Sequence, residues 1–144
     1  MGRAYRILLI EGHLPDAVLI ERALAPAADV QLRVAYGGDA ARQVLQRHPP
    51  FEGCRMPDLI LLDADLPDGE SDDLLAELAC TPSLQRVPVL LLRSADAAWV
   101  AQPVAYSLYT AGMLTRPSGL NAAQRFVSAL RQHWCPPSRA AAEL

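Results

Sequence analysis

With 144 residues, 51% of them hydrophobic, and a net charge of −3, the chain suits one domain with a sizeable core. A domain of that length buries about two-thirds of its unfolded surface. The faint acidity gives no reason to expect nucleic acid or a membrane surface as partner, and no apolar run nears the roughly 20 residues of a transmembrane helix.

The first strand is expected over residues 5–10, Tyr-Arg-Ile-Leu-Leu-Ile, ending on Glu11. It follows the N-terminus directly, so no signal peptide is expected. A helix over residues 16–24 carries Ala17, Ile20 and Leu24 on one face. Residues 30–34 alternate with period two, as a half-exposed edge strand does. A second helix over residues 39–46 buries Ala41, Val44 and Leu45.

Residues 57–63, Pro-Asp-Leu-Ile-Leu-Leu-Asp, hold the most informative stretch. Four consecutive aliphatics read as a strand buried on both faces, as in a parallel sheet. It delivers Asp63 into the polar turn Ala64-Asp65-Leu66-Pro67-Asp68-Gly69. Asp65 suits either a site or a turn, and Asp68 with Gly69 signals a turn. Ser71 is expected to cap a third helix with Asp72 and Asp73 in its first turn and Leu74, Leu75 and Leu78 buried. Residues 87–92 form another central strand, and residues 111–115 a weak fifth. Between these, Pro103 begins or kinks a helix within residues 96–108. In the last helix Asn121 is the expected cap, followed by Ala123, Phe126, Val127, Leu130 and Trp134 at spacings of three and four. A domain over residues 1–135 is expected, followed by a disordered tail over 136–144 that opens with Pro136-Pro137.

Strands alternating with helices imply an α/β fold with a doubly wound parallel sheet. Five strands suit the flavodoxin-like order 2-1-3-4-5, whose switch point lies between strands one and three. Those strands end on Glu11 and Asp63. Such a carboxylate pair suits a hard divalent cation and a phosphoryl group. Cys54, Cys80 and Cys135 are odd in number and without metal-ligand spacing, which favours reduced thiols in a cytoplasm. All thirteen basic residues are Arg, so no Lys-dependent chemistry is open to the chain.

The chain resembles the receiver domain of two-component response regulators over residues of roughly 5 to 134. The resemblance is carried by Ile7 to Glu11 with Pro15-Asp16, by Pro57 to Asp63 with Leu66-Pro67 and Gly69, by Val87 to Leu92, and by Arg116-Pro117. The long loop from His48 to Met56 and the terminal His133-Trp134 are most similar to stand-alone receivers that partner phytochrome-type sensor kinases. The resemblance implies that Asp63 accepts a phosphoryl group from a histidine kinase. It also implies that Glu11, Asp63 and the Asp65 carbonyl hold Mg²⁺.

The chain departs from that pattern at four places. Gly12 stands where the family has a second acid, which predicts weak or absent Mg²⁺ binding. Arg93 replaces the small hydroxyl residue after the fourth strand, although Ser94 follows. Arg116 replaces the lysine before the proline, and Met113, expected in the core, replaces the switch aromatic. Arg93 and Arg116 would bring two permanent charges toward Asp63. They either pair with it and block it, or replace the metal and grip phosphate themselves.

Three functions compete at this stage. The first is an atypical single-domain response regulator acting in a phosphorelay, with no catalytic activity of its own. The second is a phosphorylation-independent pseudo-receiver. The third, by its Asp63-Ala64-Asp65, is a phosphatase similar to the haloacid-dehalogenase class. For either receiver the expected output is protein binding, with a homodimer formed through the helix of residues 96–108, the fifth strand and the last helix.

Overall fold

The computed structural model describes residues 4–46, 56–93 and 112–134. Five strands are present: β1 (Tyr5–Glu11), β2 (Val30–Tyr36), β3 (Leu59–Asp63), β4 (Val89–Arg93) and β5 (Gly112–Thr115). Helices α1 (Leu14–Leu24), α2 (Gly38–Leu45), α3 (Glu70–Cys80) and α4 (Leu120–Trp134) alternate with them, and a short 3-10 turn, Pro67–Gly69, leads into α3. Every pairing is parallel and the order is β2-β1-β3-β4-β5, as the alternation of elements predicts.

Side-chain parity sorts the core into two layers. Leu8, Ile10, Ile60, Leu62 and Leu91 point to the face covered by α2 and α3, where they meet Ala41, Val44, Leu45, Leu74, Leu75 and Leu78. Ile7, Leu9, Leu59, Leu61, Leu90 and Leu92 point the other way, onto Ala17, Ile20 and Leu24 of α1 and Phe126 and Leu130 of α4. The continuous apolar runs of β1, β3 and β4 follow from this, because a central parallel strand has no solvent face on which to alternate. β2, at the sheet edge, does alternate.

Local chemistry sets the helix starts. Pro15 lies in the first turn of α1, where its missing N–H is no loss. Glu70, Asp72 and Asp73 crowd the first turn of α3, whose dipole favours negative charge there. Gly69 precedes α3 at φ +71°, in the left-handed region, and Glu70 reaches across to accept the Gly38 N–H at 2.8 Å.

Several expectations need correction. α3 begins at Glu70, so Ser71 lies inside the helix, buried, and does not cap it. α4 begins at Leu120, which puts Asn121 in its first turn. β4 starts at Val89, after Pro88, which has no N–H to give a strand ladder. Met113 is exposed, because β5 alternates and turns it away from the layer that takes Leu114. Ser94, Cys54, Cys135, His48, the helix expected within residues 96–108 and the tail over residues 136–144 lie outside the described residues.

Leu61 is fully buried in the α1/α4 layer. Leu61→Ala should lower the unfolding free energy by about 2–5 kcal/mol, since it removes buried methyl groups and leaves a cavity. Urea denaturation of the two proteins reads this directly.

Candidate functional site

The last registered pair of β1 and β3 is Ile10 with Leu62. Glu11 and Asp63 each stand one residue beyond it, so adjacent strands present two carboxyl groups side by side. Both share the parity of Leu9 and Leu61 and lean toward the α1/α4 side. Arg116 follows β5 by one residue, at the parity of Leu114, and its N–H bonds the Arg93 carbonyl at 2.8 Å. Three strands thus bring Glu11, Asp63 and Arg116 to one face at the carboxyl end of the sheet. Glu11, Asp63, Arg116 and Ser71 are the buried polar residues among those described.

The Arg116 guanidinium is the centre of the site. It grips Glu11 with both prongs, Nε to Oε2 at 2.9 Å and Nη2 to Oε1 at 3.2 Å. Nη2 also contacts Asp63 Oδ1. Asp65 Oδ2 lies 3.6 Å from Nη1, and Asp16 Oδ2 lies 3.8 Å from Nε. Asp63 has both oxygens engaged. Oδ1 accepts the Asp65 N–H at 2.7 Å besides meeting Arg116, while Oδ2 accepts the Gly12 N–H at 3.1 Å. Its main chain is fixed too: the Ser71 hydroxyl donates to the Asp63 carbonyl at 2.7 Å and accepts the Leu66 N–H at 3.1 Å.

Two buried acids and one guanidinium leave an excess negative charge in a buried site. Retaining one proton between the acids removes it, and such a pair titrates as a unit. Burial pushes Glu11 up from 4.5 to about 7, with its hydrogen bond to Asp63 acting the same way and Arg116 opposing. Burial also disfavours an ionised Asp63, but the bond from Glu11, the N–H groups of Asp65 and Gly12, and Arg116 outweigh it and hold Asp63 below its ordinary value. Burial works against the charged Arg116 as well, and the two acids more than offset it.

Of the two expected arginines, only Arg116 reaches Asp63. Arg93 has the parity of Leu91, which belongs to the opposite layer, and its Nη1 lies 3.7 Å from Met113 Sδ on the neighbouring strand. It is not among the partners of Asp63. Asp65 contributes an N–H and a peripheral carboxylate, serving site and turn together. His13 is exposed and pairs with Asp16 at 3.0 Å. Sequence reasoning missed Ser71, Asp16 as a neighbour of Arg116, and the donor role of the Gly12 backbone. The Pro15-Asp16 pair is the one signal for these in the sequence.

The donor set does not fit a divalent cation. Mg²⁺ needs free oxygens in near-octahedral array, and the oxygens of Glu11 and Asp63 are taken by guanidinium and N–H groups. Among the described residues no cluster of three or more His, Cys, Asp or Glu side chains is disposed to hold a metal. A carboxylate at position 12 would also be crowded, because a Cβ there would lie 3.0 Å from Leu66 Cδ2.

Five parallel strands in this order, with an acid pair at the switch point, define a receiver-type α/β domain. No protein-family model matches the chain. It is 30% identical over 131 residues to the response regulator Rcp1 of Synechocystis sp., covering 89% of this chain and 87% of that one. The chain belongs to the response regulator family. The structure of the Mn²⁺-bound form of Rcp1 superimposes with a TM-score of 0.75, at 30% identity, covering 92% of this chain and 96% of that one. The phosphorylated cyanobacterial phytochrome response regulator RcpA gives 0.74 at 26% identity, covering 92% and 95%. The flavodoxin-like receiver fold expected from the sequence is therefore the fold of the chain, and its relatives are signalling proteins.

The rise at Glu11 has a consequence for stability. A group whose folded value is raised contributes stability that is complete below its unfolded value and is lost as pH rises through the folded one. Stability should therefore decline between pH 4.5 and about 7. Asp63 acts oppositely, its contribution being lost only as pH falls through its lowered value. Glu11→Gln should flatten the decline between pH 4.5 and 7 in urea denaturation across pH. An unchanged slope would place the proton elsewhere.

Proposed function

We propose that this response regulator accepts a phosphoryl group on Asp63 from the phosphohistidine of a sensor kinase, and that its output is a protein–protein contact. The observation that carries the reading is the buried Asp63 carboxylate at the switch point, held beside Glu11 and Arg116. In the transfer an Asp63 oxygen attacks phosphorus, an O–P bond forms and the N–P bond to the kinase histidine breaks. The electron pair stays with the imidazole nitrogen, and Asp63 becomes an acyl phosphate. Arg116 is suited to meet the incoming oxygens, since a guanidinium fork matches phosphate bidentately. The reaction is slow, because an Asp63 oxygen must first give up one of its present partners. The relation to Rcp1 and RcpA supports a kinase of the phytochrome type as donor and a cytoplasmic setting. Among the described residues no helix is long and apolar enough to cross a membrane. Membership of this family leaves the phosphatase reading without support.

The test is incubation with acetyl phosphate, followed by intact mass. A slow gain of one phosphoryl group, lost in Asp63→Asn, is expected. The same engagement of both Asp63 oxygens favours a second reading, a pseudo-receiver that binds its partner without phosphorylation. No mass gain with either acetyl phosphate or a phosphorylated kinase would overturn the first reading in favour of this one.

We further propose that two copies pair along the β5 edge of the sheet. Met113 offers exposed apolar surface on β5, the edge strand, on the sheet face opposite α4, and a two-fold contact along that edge would bury it twice. Sedimentation at micromolar concentration should show a dimer that Met113→Glu weakens; a monomer would discard this pairing.

A further inference from the structure

We infer that Arg116 is a tethered cation: its guanidinium occupies the position a divalent ion would take among Glu11, Asp16, Asp63 and Asp65, and excludes that ion from the site. Four carboxyl groups from three parts of the chain surround this one side chain, at 2.9 to 3.8 Å besides the direct contact to Asp63. Arg116 is itself buried, so it is part of the site wall and does not fold over the site from outside.

Further features agree with this. Both oxygens of Glu11 are committed, because Oε1 also accepts the N–H groups of Gly12 at 3.1 Å and His13 at 3.3 Å while Oε2 takes Arg116 Nε. Where an acid could add a ligand, position 12 is a glycine whose N–H already holds Asp63 Oδ2, and a side chain there would press on Leu66. An arginine, moreover, keeps its charge at every physiological pH and presents five donors in a planar fork. No proton equilibrium vacates the position for an incoming ion. Among the described residues every buried side-chain nitrogen and oxygen has a partner, so the site has no orphan oxygen waiting for a ligand.

The consequence is a receiver whose resting acid site carries its own counter-charge and is indifferent to Mg²⁺ and Mn²⁺. This holds whether or not Asp63 is phosphorylated, so its test is separate from the acetyl phosphate experiment.

Mn²⁺ is the probe, followed by the paramagnetic resonance of the free ion during titration of the full chain. The wild-type protein should leave the Mn²⁺ signal undiminished at millimolar ion, and its thermal midpoint should not move. Arg116→Gln removes the charge and, being shorter, withdraws the side-chain end from among the acids. It should bind Mn²⁺ at least about tenfold more tightly, the scale on which groups touching metal ligands change affinity. A variant that unfolds in buffer but folds when Mn²⁺ is added would support the inference equally. Saturable Mn²⁺ binding by the wild type, with a rise in its midpoint, overturns it. So does a folded Arg116→Gln that binds no better. If the variant stays unfolded with the ion, the wild-type titration decides alone, since binding there sinks the idea and its absence sustains it.

Discussion

Everything at the carboxyl end of this sheet depends on the contact of one guanidinium with two buried acids. At about 4 Å and an effective dielectric near 20, two unit charges interact by about 4 kcal/mol. Glu11 and Asp63 would therefore repel each other strongly if both were ionised and unpaired. Arg116 sits against both, and a shared proton removes the remaining charge. Breaking such a buried set by deleting one member is expected to be far more damaging than its net contribution suggests, because the partners are left unpaired.

The sheet explains how three residues far apart in the chain meet with so little adjustment. Parallel strands in register bring position 11, position 63 and position 116 to one edge, and period-two alternation sends all three side chains to one face. The α1/α4 layer then walls the site with Asp16 from the first turn of α1. The fold supplies geometry, and residue identity supplies chemistry: a guanidinium here makes a different site from the one an ammonium and a metal would make.

The fold was legible because its signals were strong. Unbroken aliphatic runs at 59–62 and 89–92, set between helices with apolar spacings of three and four, admit few arrangements other than a doubly wound sheet. Asp63, Glu11 and Arg116 were legible for the same reason, since each stands at the end of an expected strand. Arg93 was misjudged because nearness to a strand end was weighed and side-chain parity was not. Counting alternation from Leu91 would have sent it to the other face. Ser71 was misread because a serine before an apolar helix resembles a cap, and only the backbone shows that its hydroxyl bridges two loop groups inside the first turn. Gly12 was read as a missing acid, whereas its contribution is an N–H, which no side-chain argument can reveal.

The Ser71 bridge also links separate parts of the molecule. One hydroxyl joins the Asp63 carbonyl to the Leu66 N–H, while Ser71 itself rides on the first turn of α3. The turn between Asp63 and α3 is thereby closed into a small hydrogen-bonded ring. Glu70, one residue earlier, is fastened to the start of α2 through the Gly38 N–H. Hydrogen bonds thus link the Asp63 main chain to α3 and, through Glu70, α3 to α2, on the face of the sheet opposite to that of the acid site.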